Sequence, residues 1–161
     1  MAVNGFEHFV VGQVFASAPR IIDAAAIKAF AHEFDGQPQH LDEAAAQGSI
    51  FGTLVASGWH TASLTMRLML ESALADVGGR AMGVRIQDLT WTAPVYPGDA
   101  LTATTEVTDL RPSRSKPDRG IVVMRTITRN QHGTTVQDML GTCMVLRSDA
   151  KAGGSVRSGA H

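Results

Sequence analysis

The chain has one cysteine, Cys143, in 161 residues. A lone thiol excludes an intramolecular disulfide and any metal cage built on thiolates, and it fits a reducing cytoplasm. Its setting, "GTCMVLR", is an apolar strand-like run in which cysteine serves as a small hydrophobe. Charge is also in short supply: 18% of residues are charged and the formal net charge is -1. Neither a polyanion nor an acidic membrane surface is attracted by such a chain, so no nucleic-acid partner is expected. No apolar run approaches the length needed to cross a bilayer, and no basic head precedes an apolar stretch at the N-terminus. The expectation is a soluble cytoplasmic protein with no membrane partner. Internal repeats are lacking too, and the length suits one domain with one sizeable core.

What is present is ordered by period. After a short strand in "FEHFVVGQVFASAP", Asp23 stands as an N-cap, and Ile27, Phe30, Ala31 and Phe34 recur at helical spacing until Gly36 and Pro38 forbid continuation. A short helix follows in "HLDEAAAQGS", with Asp42 as its cap. The strongest helical signal starts at Ser57 and is expected to run to Val77, apolar on most sides and therefore buried. From Arg80 the period changes. Four stretches rich in Thr, Val and Ile are separated by turns at Pro97-Gly98-Asp99, Arg111 to Gly120, and Asn130 to Gly133. A buried helix followed by four long consecutive strands predicts an α+β fold in which a curved antiparallel sheet wraps around the helix. The domain is expected over residues 1–147, with a disordered tail over 148–161 whose composition is Gly, Ser and Ala without an apolar face.

The first candidate for chemistry is "FDGQPQH". Pro38 stiffens a turn between two helices, and such a turn can bring Asp35 and His40 to one side. A carboxylate beside an imidazole can orient the ring, select its tautomer and, with it, hold a water for proton removal. Taken alone, the same residues would also serve as a helix terminator and a packing histidine. The second candidate is "LVASGWHTASL". Gly58 opens the long helix, where unpaired N–H groups and the positive dipole end meet, and its missing side chain lets a carbonyl oxygen approach. An ordinary Ser57-capped helix start has the same appearance. Ser63, on an otherwise apolar helix, bonds either to its own helix or to a catalytic group. His32 and His60 lack the spacing and third ligand of a zinc site, so no metal is expected. The loop "RPSRSKPDRG" gathers Arg111, Arg114, Lys116 and Arg119 and reads either as a solvated loop or as a contact for the nucleotide phosphates of coenzyme A.

Set in order, "FDGQPQHLDEAAA", "FGTLVASGWHTASLTMRL", "LTWTAPVYPGD" and "RPSRSKPDRGIVV" resemble the MaoC-like acyl dehydratases, relatives of the (R)-specific enoyl-CoA hydratases, over roughly residues 6 to 147. The resemblance is carried above all by Asp, one residue, Asn or Gln, Pro, one residue, His. It implies a hotdog fold, a homodimer or dimer of dimers, and reversible hydration of an enoyl thioester with no cofactor beyond the coenzyme A of the substrate. In its terms Asp35 and His40 are the catalytic pair and Gly58 the oxyanion donor. Gln37, Ser57 and Ser63 then stand beside the substrate, and Arg114 and Lys116 are candidates for its phosphates. Two positions depart from the family pattern: Phe34 where glycine is frequent before the aspartate, and Ser57 where histidine is frequent before the glycine. A hotdog acyl-CoA thioesterase and a non-catalytic acyl-CoA-binding or partner subunit are the alternative functions.

Overall fold

A computed structural model describes residues 2–151. A 3-10 turn at Phe6–His8 leads to the short strands β1 (Val14–Ala16) and β2 (Arg20–Ile21). Three helices follow: α1 (Ala24–Phe34), α2 (Pro38–Leu41) and α3 (Glu43–Ala46). The longest helix, α4 (Gly58–Leu70), precedes four long strands, β3 (Ala81–Trp91), β4 (Ala100–Pro112), β5 (Arg119–Arg129) and β6 (Thr135–Leu146). The sheet is antiparallel in the order β1-β4-β5-β6-β3, with β2 also on β4. The expected α+β architecture is thus present.

Local chemistry explains most boundaries. Asp23 accepts from the Ala26 amide at 2.8 Å and caps α1, and Asp42 caps α3 in the same way through Ala45 at 2.9 Å. Pro38 occupies the first turn of α2, where a missing N–H is no loss. The turn at Pro97-Gly98-Asp99 needs glycine, because Gly98 has φ of +91°. Asp99 closes that turn by accepting from the Tyr96 amide and from Gln131.

Helix α4 is shorter than its apolar pattern predicts. It stops at Leu70, and the chain then descends through tight turns to Gly78, whose φ is +58°. The reason is local: Ser72 donates its hydroxyl back to the Leu68 carbonyl, and Leu74 N–H reaches Met69 O instead of continuing the helical ladder. Its burial is also one-sided. Thr61, Thr65, Leu68 and Met69 face the sheet, while Trp59, Met66 and Leu70 remain 61%, 41% and 53% exposed.

Two apolar clusters hold the helix to the sheet. Phe6, Phe9, Met69, Leu74 and Val77 pack on Val107, Val122, Met124 and Val145 at one end. Ile27, Leu54 and Leu68 pack on Leu101, Ala103 and Val136 at the other. Between them the Thr65 and Thr128 hydroxyls pair across the interface at 2.7 Å, and within the sheet Thr105 pairs with Thr126 at 3.0 Å, so the buried oxygens are satisfied.

The packed chain continues past the expected boundary at 147. Ser148 bonds to Glu7 through its amide and hydroxyl, and Arg80 donates to the carbonyls of Arg147 and Ala150. The remainder of the expected tail lies outside the described residues. Among the described residues, no helix is long and apolar enough to cross a membrane.

Candidate active site

The site is assembled from the end of α1, the turn into α2, the start of α4 and the end of β3. Asp35 is the C-cap of α1, with its amide on the Ala31 carbonyl at 2.9 Å. His40 lies inside α2 and is 5% exposed. The extended segment before α4 is tied down by Val55 N–H on Gln39 O at 3.0 Å and Ala56 N–H on Val95 O at 2.9 Å. Those two bonds place the Val55 carbonyl 2.7 Å from His40 Nδ1. A carbonyl only accepts, so Nδ1 carries the hydrogen, and Nε2 is left toward Asp35 Oδ2 at 3.6 Å. That separation is too long for a direct hydrogen bond and leaves the imidazole edge and the carboxylate able to share a third group.

Both oxygens of Asp35 are held. Ser57 donates its hydroxyl to Oδ2 at 2.6 Å, and Gln37 Nε2 donates to Oδ1 at 2.8 Å. Burial acts to raise the Asp35 pKa, but these bonds, with the charge of His40, outweigh it and hold the carboxyl below its usual range. Asp35 is therefore a carboxylate at neutral pH.

Ser57 has a second task. Its Oγ also accepts the Trp59 amide at 3.2 Å and caps α4. The amide of Gly58, the first residue of the helix, has no intrahelical acceptor and stands at the positive end of the dipole. Gly58, Asp35, His40 and Gln37 line one cavity of about 480 Å³, whose apolar walls include Phe51, Trp59 and Trp91.

The expected residues divide as follows. Asp35, His40, Gln37 and Gly58 come together. Ser57 also reaches the site, but it is 1% exposed and turned to Asp35, so it acts on the carboxylate and not on the substrate. Ser63 does not join them: on the exposed side of α4, it donates to its own helix at Trp59 O, 2.8 Å away. Arg114 and Lys116 are exposed in the β4–β5 loop, where Pro112 pairs with Gly120. The cavity lies at the other end of the sheet, beside Trp91 and Gln137, and Gln137 is level with Thr128. Following β5 from Arg119 to Thr128 is a path of about 30 Å, so within the chain these two cations stand far from the cavity.

Three participants were not evident beforehand. Trp91 lies over Gly58, Val55 supplies the carbonyl to His40, and His60 stacks on Phe30 with ring centroids 4.6 Å apart and planes 2° apart. Burial pushes the His60 pKa down, so it packs as a neutral ring that clamps α1 to α4 and thereby brings Asp35 to Ser57. Each of these contacts joins distant parts of the chain: Val55 and His60 lie in "FGTLVASGWHTASLTMRL" and Trp91 in "LTWTAPV", stretches that carry the family resemblance, but neither stretch shows which residue meets which.

Replacing Ser57 by alanine is expected to move the acid limb of the pH–activity profile to higher pH, because burial then raises Asp35 without its shortest hydrogen bond opposing it. Loss of the cap should lower stability by about 0.5 to 2 kcal/mol. A pH–rate profile beside a urea titration measures both. An acid limb that does not move would show that Asp35 is not the titrating group.

Comparison with known proteins agrees with this geometry. The family model described as a MaoC like domain matches residues 8–130. The crystal structure of the MaoC-like dehydratase from Rhodospirillum rubrum superposes with a TM-score of 0.83 at 48% identity, over 89% of this chain and 97% of that one. An (R)-specific enoyl-CoA hydratase of Rhodospirillum rubrum is 34% identical over 115 residues, 71% of this chain and 76% of its own length. The (R)-hydratase from A. caviae involved in PHA biosynthesis is 30% identical with a TM-score of 0.70, over 85% of this chain and 97% of that one. The sheet wrapped on α4 is accordingly a hotdog fold, and the chain belongs to the MaoC-like dehydratase family.

Proposed function

We propose that the protein is an (R)-specific enoyl-CoA hydratase working reversibly as a 3-hydroxyacyl-CoA dehydratase, a hydro-lyase of fatty acyl metabolism in the cytoplasm. The observation that carries this reading is the convergence of Asp35, His40 and the Gly58 amide on one cavity. In hydration, a water held between Asp35 and His40 Nε2 gives one proton to the ring as its oxygen bonds to C3. The electron pair of the double bond moves through C2 to the thioester oxygen, and the Gly58 amide and the helix dipole stabilise the resulting enolate. The proton held by Nε2 beside Asp35 then passes to C2 from the same face, giving syn addition. Water is the only co-reactant, so the reading includes no cofactor apart from coenzyme A as part of the substrate.

The assay follows the ultraviolet absorbance of the conjugated thioester when purified protein is added to crotonyl-CoA and longer enoyl-CoAs. Loss of absorbance with appearance of the 3-hydroxyacyl product supports the reading. Release of free thiol instead would assign a thioesterase. No turnover at any chain length by a folded protein would remove the hydratase reading and favour a subunit that binds acyl-CoA beside an active partner.

The proposed assembly is a homodimer or a dimer of such dimers. Among the described residues strand β3 pairs only with β6, which leaves its other edge free along its whole length, with Met82, Val84 and Ile86 45%, 47% and 57% exposed. Ile86 and Gly83 line a second, apolar cavity of about 130 Å³ together with Met66 and Leu70 of α4. An open apolar edge beside the exposed face of a helix is a surface that soluble proteins cover. Light scattering after size exclusion is expected to give at least twice the 17.1 kDa chain mass, and a monomeric mass at micromolar concentration would reject the assembly.

A further inference from the structure

We propose that Gln137 is a positioning residue of the active site, acting through the Trp91 indole, which it fixes against Gly58 as a wall of the cavity. The inference rests on the site reading given above and adds to it a residue that is itself outside the cavity.

Gln137 lies on β6, next to Trp91 on β3 and Thr128 on β5, and is 0% exposed. Trp91 Nε1–H can only donate, and it donates to Gln137 Oε1 at 3.0 Å. That bond determines which way the amide faces. Its other end, Nε2, is consequently buried without a hydrogen-bond partner among the described residues. An unpaired buried donor is destabilising, and an apolar side chain of similar volume would avoid it. Two positions on, Met139 is such a residue, and Val136 beside it is fully buried and apolar. Packing therefore does not account for an amide at this position, whereas holding an indole nitrogen does.

The indole so held is in a defined place. A Cβ added to Gly58 would lie 2.6 Å from Trp91 Cδ2 and Cε2, so the ring rests on the backbone that begins α4. Trp59 meets the same ring edge-on, with centroids 5.2 Å apart and planes at 81°. Trp91 is nevertheless 42% exposed, and it lines the cavity with Asp35 and His40. It is also the last residue of the free-edge strand, where only one neighbour strand restrains the backbone. Released from Gln137, the ring could slide over the Gly58 amide or swing outward, and the wall beside the developing negative charge would lose its shape.

The test compares Gln137→Met, Trp91→Phe and the double variant with the parent, assaying enoyl-CoA hydration and urea unfolding. Methionine keeps length and volume but accepts weakly, and phenylalanine keeps a ring but has no N–H. Each single change is expected to lower kcat/KM roughly five- to tenfold, mostly in kcat. The double variant should be no worse than the poorer single one, since both cut the same link. Gln137→Met should unfold at a midpoint equal to or above the parent, which a merely structural glutamine would not permit. Parental kcat/KM in Gln137→Met, additive losses, or a loss proportional to lowered stability would each overturn the proposal. The chain has two tryptophans, so a Trp59→Phe background leaves Trp91 as the sole indole. There, Gln137→Met should red-shift the emission and increase acrylamide quenching. This readout is independent of turnover. If the parent hydrates no enoyl thioester, the function proposed above fails, while unchanged emission and quenching would overturn the brace itself.

Discussion

Changing Asp35 to asparagine is expected to reduce enoyl-thioester hydration by about a hundred- to ten-thousandfold while leaving the far-ultraviolet circular dichroism unchanged. The side chains are close in size, so packing at the C-cap of α1 is conserved. What changes is charge and hydrogen-bond sense. The carboxylate now accepts from both Ser57 and Gln37, and an amide presents an oxygen to one of them and an NH2 group to the other. It also ceases to offer a negative charge to His40 Nε2, 3.6 Å away, when that ring takes a proton from water. Asp35 stays a carboxylate to lower pH than an ordinary aspartate, so the parent has this charge in place throughout the neutral range, whereas the asparagine variant lacks it at every pH. Residual turnover above about a tenth of the parent value would remove Asp35 from the catalytic pair.

A second large effect is expected from Gly58→Ala, which damages stability and turnover by different routes. The new methyl would stand 2.6 Å from two atoms of the Trp91 ring and 2.9 Å from a third, so the ring must move. Overpacking of this kind costs about 1 to 3 kcal/mol, and the displaced indole also loses its bond to Gln137. The methyl further obstructs the approach of a thioester oxygen to the Gly58 amide, and losing such a donor lowers kcat by about a hundred- to a thousandfold. Made in a Trp91→Ala background, Gly58→Ala should cost much less stability than in the parent, since the clash is gone, while turnover stays low. An equal cost in both backgrounds would show that the indole is not what excludes a side chain there.

The chemistry of this site was legible where it is local. Asp35 to His40 spans six residues around a proline, and Ser57-Gly58 opens a strongly periodic helix, so the residues that line the cavity from these two segments could be picked out of short stretches. The strands from Arg80 onward were legible for a similar reason, since β-branched residues and turn signals alternate there. What escaped was anything set by contacts distant in sequence. The ring of Trp91 on Gly58 depends on how β3 is aligned with β6 and how α4 lies across them, and no periodicity records that. The length of α4 was overestimated because apolar residues continue to Val77, whereas Ser72 and the Gly78 reversal end the hydrogen-bond ladder earlier. Arg114 and Lys116 looked like phosphate ligands by composition, yet strand direction carries them to the far end of the sheet.

Ser57 ties two properties that protein engineers prefer to adjust one at a time. The same oxygen caps a helix and helps to hold Asp35, the proposed catalytic carboxylate, in its charged form. Aspartate and asparagine are equally good helix caps elsewhere. Here aspartate would set a second negative charge where serine donates to Asp35 at 2.6 Å, and asparagine is longer than the space a 1% exposed serine fills. Libraries of this protein screened only for heat tolerance should therefore converge on serine at position 57, retaining the partner of the proposed catalytic carboxylate without any selection for turnover.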